Sequence, residues 1–530
     1  MIQSAKQNLV FLQLSIHAQM SRLYKVFRKY HKWLGVTLAF FFIFFALSGI
    51  VLNHRRTFSK VDVNRRWLPK EYRYSNWNNA AVRGAKPVGS DSMLVYGNIG
   101  VWLTDNQFST FVDLNQGFPK GIDNRKIADV EVVGDDLFAA TLFGLYRYND
   151  SQWQKVMLPI AEERMVALEQ RGDSLIVMSR SHLLVGLAGD DFHTFHEVPL
   201  LAPNGAQKRI SLFRTIWFIH SGKVWGTPGK LIVDLGGAAM IFLSLTGLFY
   251  FFAPKLLSKI QAKFTLRSRI KRTNRWSYKW HLHIGIVAAL LLLVVTTTGM
   301  FLRPPLLIPI ASKSVKPMKG TTLADSNYWS DNLRDIIYDS HRRFFFLATA
   351  EGIFALSPDL MEAPVKFAPQ PPVSVMGINV FWQEGPYYVV GSFSGLYRWN
   401  PFEHHLSDYL TGESVEPHST LRSPFGALAI AGGIRLQNAE NVFFDYNSGA
   451  FTPKGDNSFP EMPQEVVSKS GMSLWNLALE IHTWRIIKFL VSDFSILVVP
   501  LSGILGVVIV LTGVVMWIIR YSKRKKCKKE

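Results

Sequence analysis

Cysteine is almost missing from this chain: Cys527 is the only one in 530 residues. One thiol excludes an intramolecular disulfide, a four-cysteine iron–sulfur cluster and the Cys-x-x-Cys-His attachment of a covalent haem. Walker A loops, dinucleotide fingerprints and His-Glu-x-x-His are also missing. Acids are scarce, with Asp+Glu 39 against Lys+Arg 59 and a net charge of +20. That excess sits in three places: Lys6 with the bases from Arg22 to Lys32, Lys255–Lys279, and Arg520–Glu530. Each place adjoins an apolar run, and the rest of the chain is close to neutral. The charge therefore reads as a membrane-flanking pattern, and a nucleic-acid partner is excluded. The first 19 residues show no clear cleavage site, precede Met20 and receive no function.

What is abundant is apolar: 48% of residues are hydrophobic and 38 are Phe. A helix needs about 20 apolar residues to cross a bilayer. Four runs qualify, near Leu34–Leu52, Leu231–Phe252, Ile284–Leu302 and Ser495–Ile519. The first, LGVTLAFFFIFFALSGIVL, is apolar on every face and makes a poor soluble helix. The fourth holds Pro500, Gly503 and Gly506, which membrane helices tolerate. With four spans, all three basic segments fall on one side, which the positive-inside rule makes cytoplasmic. The predicted order is a cytoplasmic segment 1–30, span 31–55, periplasmic region 56–211, interfacial segment and span 212–254, and basic loop 255–280. A third span 281–303, a second periplasmic region 304–473, an interfacial helix and span 474–519, and a basic tail 520–530 complete it.

Several short motifs occur twice. His31-Lys-Trp-Leu-Gly35 matches His281-Leu-His-Ile-Gly285, and Ser48-Gly49 and Thr298-Gly299 follow, each glycine 18 residues after its histidine. Gly144-Leu-Tyr-Arg-Tyr148 matches Gly395-Leu-Tyr-Arg-Trp399, Ile219-His220-Ser221 matches Ile481-His482-Thr483, and Thr246-Gly247 matches Thr512-Gly513. Ordered matches at offsets growing from 250 to 266 residues predict an internal duplication. The regions between spans carry strand–glycine–strand units near Gly100, Gly144, Gly186, Gly352 and Gly395, at spacings of about 43, with a weaker sixth around Asn441–Tyr446. That spacing suits propeller blades. Three per half cannot close two rings, so the expectation is a β-rich periplasmic region forming one six-bladed propeller shared by both halves, against two open sheets or a sandwich. The fold class is an all-α four-helix membrane core plus that region.

Of 14 histidines, His182, His193, His196, His341, His404, His405 and His418 suit surface hydrogen bonding, and His17 has no assigned role. His31 and His281 occupy equivalent positions at the starts of spans one and three. Either alone reads as an interfacial residue beside Trp33 or Trp280. As a pair at one depth, they suit the two axial faces of a haem iron, with Gly35 and Gly285 leaving room for the ring. His220 and His482 form a second pair before spans two and four. Lys223 and Arg485, three residues beyond each, suit haem propionates. His283 points away from His281 on a helix and is the reserve ligand. His54 has no counterpart, because Pro304 stands in its place. About 27 Å of helix separates the two levels, so two stacked centres predict electron transfer across the membrane. Asp234, the acid within span two, reads as an interfacial hydrogen bond or ion pair.

The His31–Gly35/Ser48-Gly49 and His281–Gly285/Thr298-Gly299 motifs, with the Ile-His-Ser/Thr elements at His220 and His482, resemble the PepSY-associated transmembrane helix family. The likeness covers the spans and their flanks, roughly 31–55, 212–255, 279–305 and 474–521. It implies an iron-regulated inner-membrane protein or siderophore reductase with two b-type haems, ligated by His31, His281, His220 and His482. It departs in lacking a clear PepSY-type outer domain and in having Thr-Trp-Arg after His482. No flavin or nicotinamide domain is present, so the donor is a membrane quinol or a cytoplasmic reductase. The acceptor is a periplasmic ferric chelate or redox protein. The competing expectation is a non-enzymatic sensor or assembly module whose β domain binds a protein; a transporter ranks third, since no span carries paired internal acids and bases.

Overall fold

The computed structural model describes residues 2–259, 264–372, 377–415, 426–436, 440–454 and 459–526, with side chains from 19 to 521 except Phe264. His418 and Cys527 lie outside the described residues, and His17 outside the described side chains. The chain divides into two compact units, one of Met1–Arg56, Lys208–Ala324 and Trp475–Glu530, the other of Thr57–Gln207 and Asp325–Leu474.

The first unit is helical. Its long helices are Ile2–Asn53, Gly226–Lys259, Phe264–Met300 and Ser495–Lys526. Each holds a stretch long and apolar enough to cross a membrane. Helices one and three each pack on both two and four. The expected basic loop 255–280 is largely helix instead, ending at Lys259 and resuming at Phe264. Lys and Arg are good helix formers whose stems cover apolar surface while their charges reach water. The third helix stops at Met300 rather than Leu302, short of Arg303-Pro304-Pro305, because the residue before a proline is biased out of helical backbone. Residues 2–19 continue the first helix. Short helices Leu212–Ser221 and Leu474–His482 precede helices two and four.

The second unit is mostly β. Six antiparallel sheets follow one another, five of four strands and one of three, and no described sheet closes on itself by hydrogen bonds. Their first strands are Gly84–Val88, Ile127–Val133, Met165–Arg171, Leu333–Asp339, Ile378–Glu384 and Ile430–Arg435. Each first strand lies beside the next in this order, and the sixth lies beside the first. An apolar cluster fills each seam. Period-two alternation feeds them: Phe345 faces the seam with sheet three while Phe346 faces sheet five, and Phe443 and Phe444 divide likewise. Strands buried on both faces read as continuous apolar runs, which explains FFFLAT and VFFD. Each fully buried phenylalanine contributes about 1.5–3 kcal/mol.

The edge of the last sheet is covered by the segment before the first. Ala450 N donates to the Asn76 carbonyl at 2.8 Å, and Asn79 N donates to the Tyr446 carbonyl at 2.8 Å. Gly100, Gly144, Gly352 and Gly395 begin third strands with φ of +92° to +146°, where only glycine is at ease. Gly186 differs, lying inside the strand Leu183–Leu187 beneath the Phe195 ring.

Along the first strands runs a polar line of Lys86, Asp129, Glu131, Glu169 and Asp335, with Arg83 just before the first. Lys86 Nζ lies 2.6 Å from Glu131 Oε2, Tyr96 donates to Asp129 at 2.9 Å, and Arg83 donates to Asn379 Oδ1 at 2.7 Å. Burial pushes the carboxyls of Glu169 and Asp335 up to about 8, the latter also under the charge of Asp129.

Candidate functional site

The helical unit brings four histidines together in two pairs. The rings of His31 and His281 lie 6.2 Å apart between centroids and those of His220 and His482 6.0 Å apart, with interplanar angles of 89° and 61°. His31 and His281 stand on helices one and three. His220 and His482 sit at the last turns of the two short helices. The second of these is tied to helix one by Trp475 Nε1, which donates to the Leu52 carbonyl at 3.1 Å.

All four rings are seated alike. His31 Nδ1 is 3.0 Å from the Ile509 carbonyl and 3.2 Å from Thr512 Oγ1. His281 Nδ1 lies 3.1 Å from Thr246 Oγ1, and the ring also hydrogen-bonds the Leu243 backbone. For His220 the partners are the Val295 carbonyl at 3.0 Å and Thr298 Oγ1 at 3.4 Å. For His482 they are the Phe45 carbonyl at 3.1 Å and Ser48 Oγ at 3.0 Å. Each hydroxyl donates to the carbonyl four residues back on its own helix: Thr512 to Val508, Thr246 to Phe242, Thr298 to Val294 and Ser48 to Phe44. A carbonyl, and a hydroxyl oxygen whose proton is already engaged, can only accept. The network thus assigns the hydrogen to Nδ1 in all four rings, leaving the Nε2 lone pair free.

The glycine after each hydroxyl receives the ring. An added Cβ would stand 3.2 Å from His31 Cε1 at Gly513, 3.4 Å from His281 Cε1 at Gly247, 2.8 Å from His220 Cε1 at Gly299 and 3.4 Å from His482 Cε1 at Gly49. These four Ser/Thr-Gly pairs are the ring-seating residues that the sequence motifs did not single out as such. Their spacing was visible, but as a mark of duplication. Gly35 and Gly285 do not hold the imidazoles: a Cβ at Gly35 meets nothing within 4 Å, and one at Gly285 meets only Leu243.

A metal–imidazole bond of about 2 Å puts two nitrogens ~4 Å apart across one ion, and the ring centres ~6 Å apart. Both pairs match that spacing, and both offer Nε2 in the neutral tautomer that ligation requires. Donation of the other ring nitrogen to a backbone carbonyl is the usual second support of a metal-bound histidine. Among the described residues no three His, Cys, Asp or Glu side chains gather as a metal cluster; a haem iron takes only two axial ligands from the chain. The residues present fit that group.

The other candidates are placed elsewhere. His283 bonds the Lys279 carbonyl of its own helix at 2.7 Å and belongs to neither pair. Lys223 Nζ lies 4.5 Å from the centre of the Trp217 ring. Arg485 is ion-paired with Glu480, while its Nε, like that of Arg303, has no hydrogen-bond partner among the described residues. His54 meets Asp234: Nε2 lies 2.6 Å from Oδ2, and Asn53 Nδ2 donates to Oδ1 at 2.9 Å. Backbone geometry after the two short helices repeats despite different residues, with Gly222 at φ +76° and Trp484 at φ +57°. The strained Trp484 is offset by packing on Phe41, whose ring centroid is 4.6 Å away.

The sequence profile of the PepSY-associated TM region matches residues 6–253 and again residues 201–520. No curated protein sequence matches. Among solved structures the chain is similar to the extracellular domain of the putative hybrid two component system BT4673 from B. thetaiotaomicron, at 9% identity over 70% of this chain and 32% of that chain, TM-score 0.34. The N-terminal domain of Nup159 is similar at 8% identity over 74% of this chain and 92% of that chain, TM-score 0.30. PorZ, a surface component of the type-IX secretion system of Porphyromonas gingivalis, is similar at 8% identity over 70% and 44%, TM-score 0.20. The chain spans about a third of the length of the first of these.

Proposed function

Because the chain belongs to the PepSY-associated TM region family, we propose that it is a di-haem b electron-transfer protein of the bacterial inner membrane, an oxidoreductase serving a periplasmic acceptor. The observation that supports this reading is the doubled histidine seat: two pairs, at 6.2 and 6.0 Å, with all four rings hydrogen-bonded to backbone and to a Ser or Thr hydroxyl. Haem, when bound, supplies a one-electron carrier at each level. The chain supplies the rest. His31 with His281 and His220 with His482 would hold the two haems through their free Nε2 atoms, and the four hydroxyl–glycine pairs hold ring orientation and tautomer. Open space beside Gly35 leaves room for a macrocycle. Lys223, Arg485 and the free Nε of Arg303 suit propionates.

Basic helix ends favour cytoplasmic termini and a periplasmic β unit. The six filled seams support one six-bladed ring drawn from both halves, and two matches to one profile support duplication. A membrane quinol or cytoplasmic reductase is the donor class, and a ferric siderophore, another ferric chelate or a redox protein the acceptor class. A second reading, a non-enzymatic sensor or assembly module, is favoured by the size of the β unit, which is more than half the chain. A pyridine haemochrome assay on purified protein separates the two. Two non-covalent haems per chain are expected, and none would overturn the proposal.

A further inference from the structure

Among the described residues, Asp234 is the only acid within the four long helices of the helical unit. An acid within a span is costly and marks function more often than packing. It is paired: His54 Nε2 lies 2.6 Å from Asp234 Oδ2, and Asn53 anchors Oδ1. The imidazole is 32% exposed and the carboxylate 15%, so His54 faces outward and Asp234 inward. Asn53 stands one helical turn beyond Gly49, the seat of His482, which puts it about 6 Å along the helix from the seat of the His220–His482 pair, the far centre.

The same positions in the other half hold neither group. Five residues beyond Gly49 stands His54; five beyond Gly299 stands Pro304. Twelve before Thr246 stands Asp234; twelve before Thr512 stands Pro500. The seats recur in both halves and the dyad in one, so packing of the seats does not require it.

We propose that His54 and Asp234 form a proton-exchange site linked to reduction of the His220–His482 centre. This rests on the electron-transfer reading above. In the resting dyad the neutral imidazole donates its Nε2 hydrogen to the Asp234 carboxylate, giving a net charge of −1. When one electron from the donor reaches the far centre, one proton from water adds to His54 Nδ1, giving an imidazolium–carboxylate pair of net charge zero. When the acceptor removes that electron, the proton returns to water. The gain of one negative charge at the centre is offset by the loss of one at the dyad, and the coupling grows as water is excluded from between the two. The charged groups on the surrounding elements are Lys230, one turn before Asp234; Arg55, stacked 3.9 Å from the Trp475 ring centre; Arg56; Arg303; and Glu480 with Arg485. Of these, Lys230 and Glu480 are the titratable alternatives.

The test uses the full chain with haem in lipid nanodiscs. Redox titrations at several pH values are combined with an indicator dye that counts protons taken up on reduction. The wild type should take up close to one proton per electron at the far centre, and its midpoint should fall with pH. H54Q and D234N should each abolish both effects with haem content unchanged, whereas K230Q and E480Q should leave them. If D234N does not fold, H54Q alone decides. A pH-independent far centre in a protein holding two haems would overturn the proton site and leave the electron-transfer reading standing. Persistence of uptake in H54Q would do the same. A protein with no haem would overturn both.

Discussion

The helical unit is built from three stretches of chain and the β unit from two, and in each the two halves of the sequence are joined by different physics. In the helical unit each of the four paired histidines sits on the other half's helix: His31 on Gly513, His482 on Gly49, His281 on Gly247 and His220 on Gly299. Each joint is one ring, one carbonyl, one hydroxyl and one glycine, and depends on direction and distance. In the β unit the joints are two apolar seams, sheet three with four and sheet six with one, plus the Asn76 edge. Those depend on buried area, which is non-directional. A single methyl group should therefore damage the first kind of joint, whereas the second kind fails only when a whole half is removed.

Removing a half is the largest perturbation. Residues 57–207 expressed alone leave Ala167, Ile176 and Met178 without Leu333 and Phe345, and Trp77 and Trp102 without Phe444. The expected product is unstable or oligomeric through unpaired edges. A cooperatively unfolding monomer in calorimetry would break the comparison on the β side.

Next come the histidines. H31A should remove or convert one low-spin haem and spare the other, and H482A should do the reverse, read by low-temperature absorption and electron paramagnetic resonance. Two low-spin haems at full occupancy in H31A/H220A/H281A/H482A would defeat the ligand assignment.

The seats should then rank by clearance. G299A brings a methyl 2.8 Å from His220 and should perturb the far centre most. G513A, at 3.2 Å, should act less, and G49A and G247A, both at 3.4 Å, least. An equal effect at all four would show that the seats do not set ring position.

The smallest effect is expected on the β side, where charge rather than shape is tested. Glu169 and Asp335 titrate near 8 folded against 4.5 and 3.8 unfolded. Between those values the unfolded chain has released protons that the folded protein still holds. Stability should therefore decline as pH rises from about 4 to 8 and level off above. E169Q and D335N keep the acceptors used by Tyr338 N and Ile336 N and should raise the unfolding temperature by a few degrees at pH 8.5 but hardly at pH 4. Scanning calorimetry at both pH values checks this; destabilisation at pH 8.5 would mean that the charged forms are paired.

Sequence by itself determined the local features. Four apolar runs, the segregated bases, strand units at 43-residue spacing and the 18-residue His–Gly interval all depend on periodicity and composition within one element. The paired depth of His31 with His281 and of His220 with His482 was also legible, because helical rise converts residue number into height. Tertiary structure alone decided who touches whom. Gly513 lies 482 residues from the ring it seats and Asp234 lies 180 from His54, separations over which no periodic pattern carries information. The seats are small residues because an imidazole must approach the backbone closely, and that need exists only once the other half has folded against it.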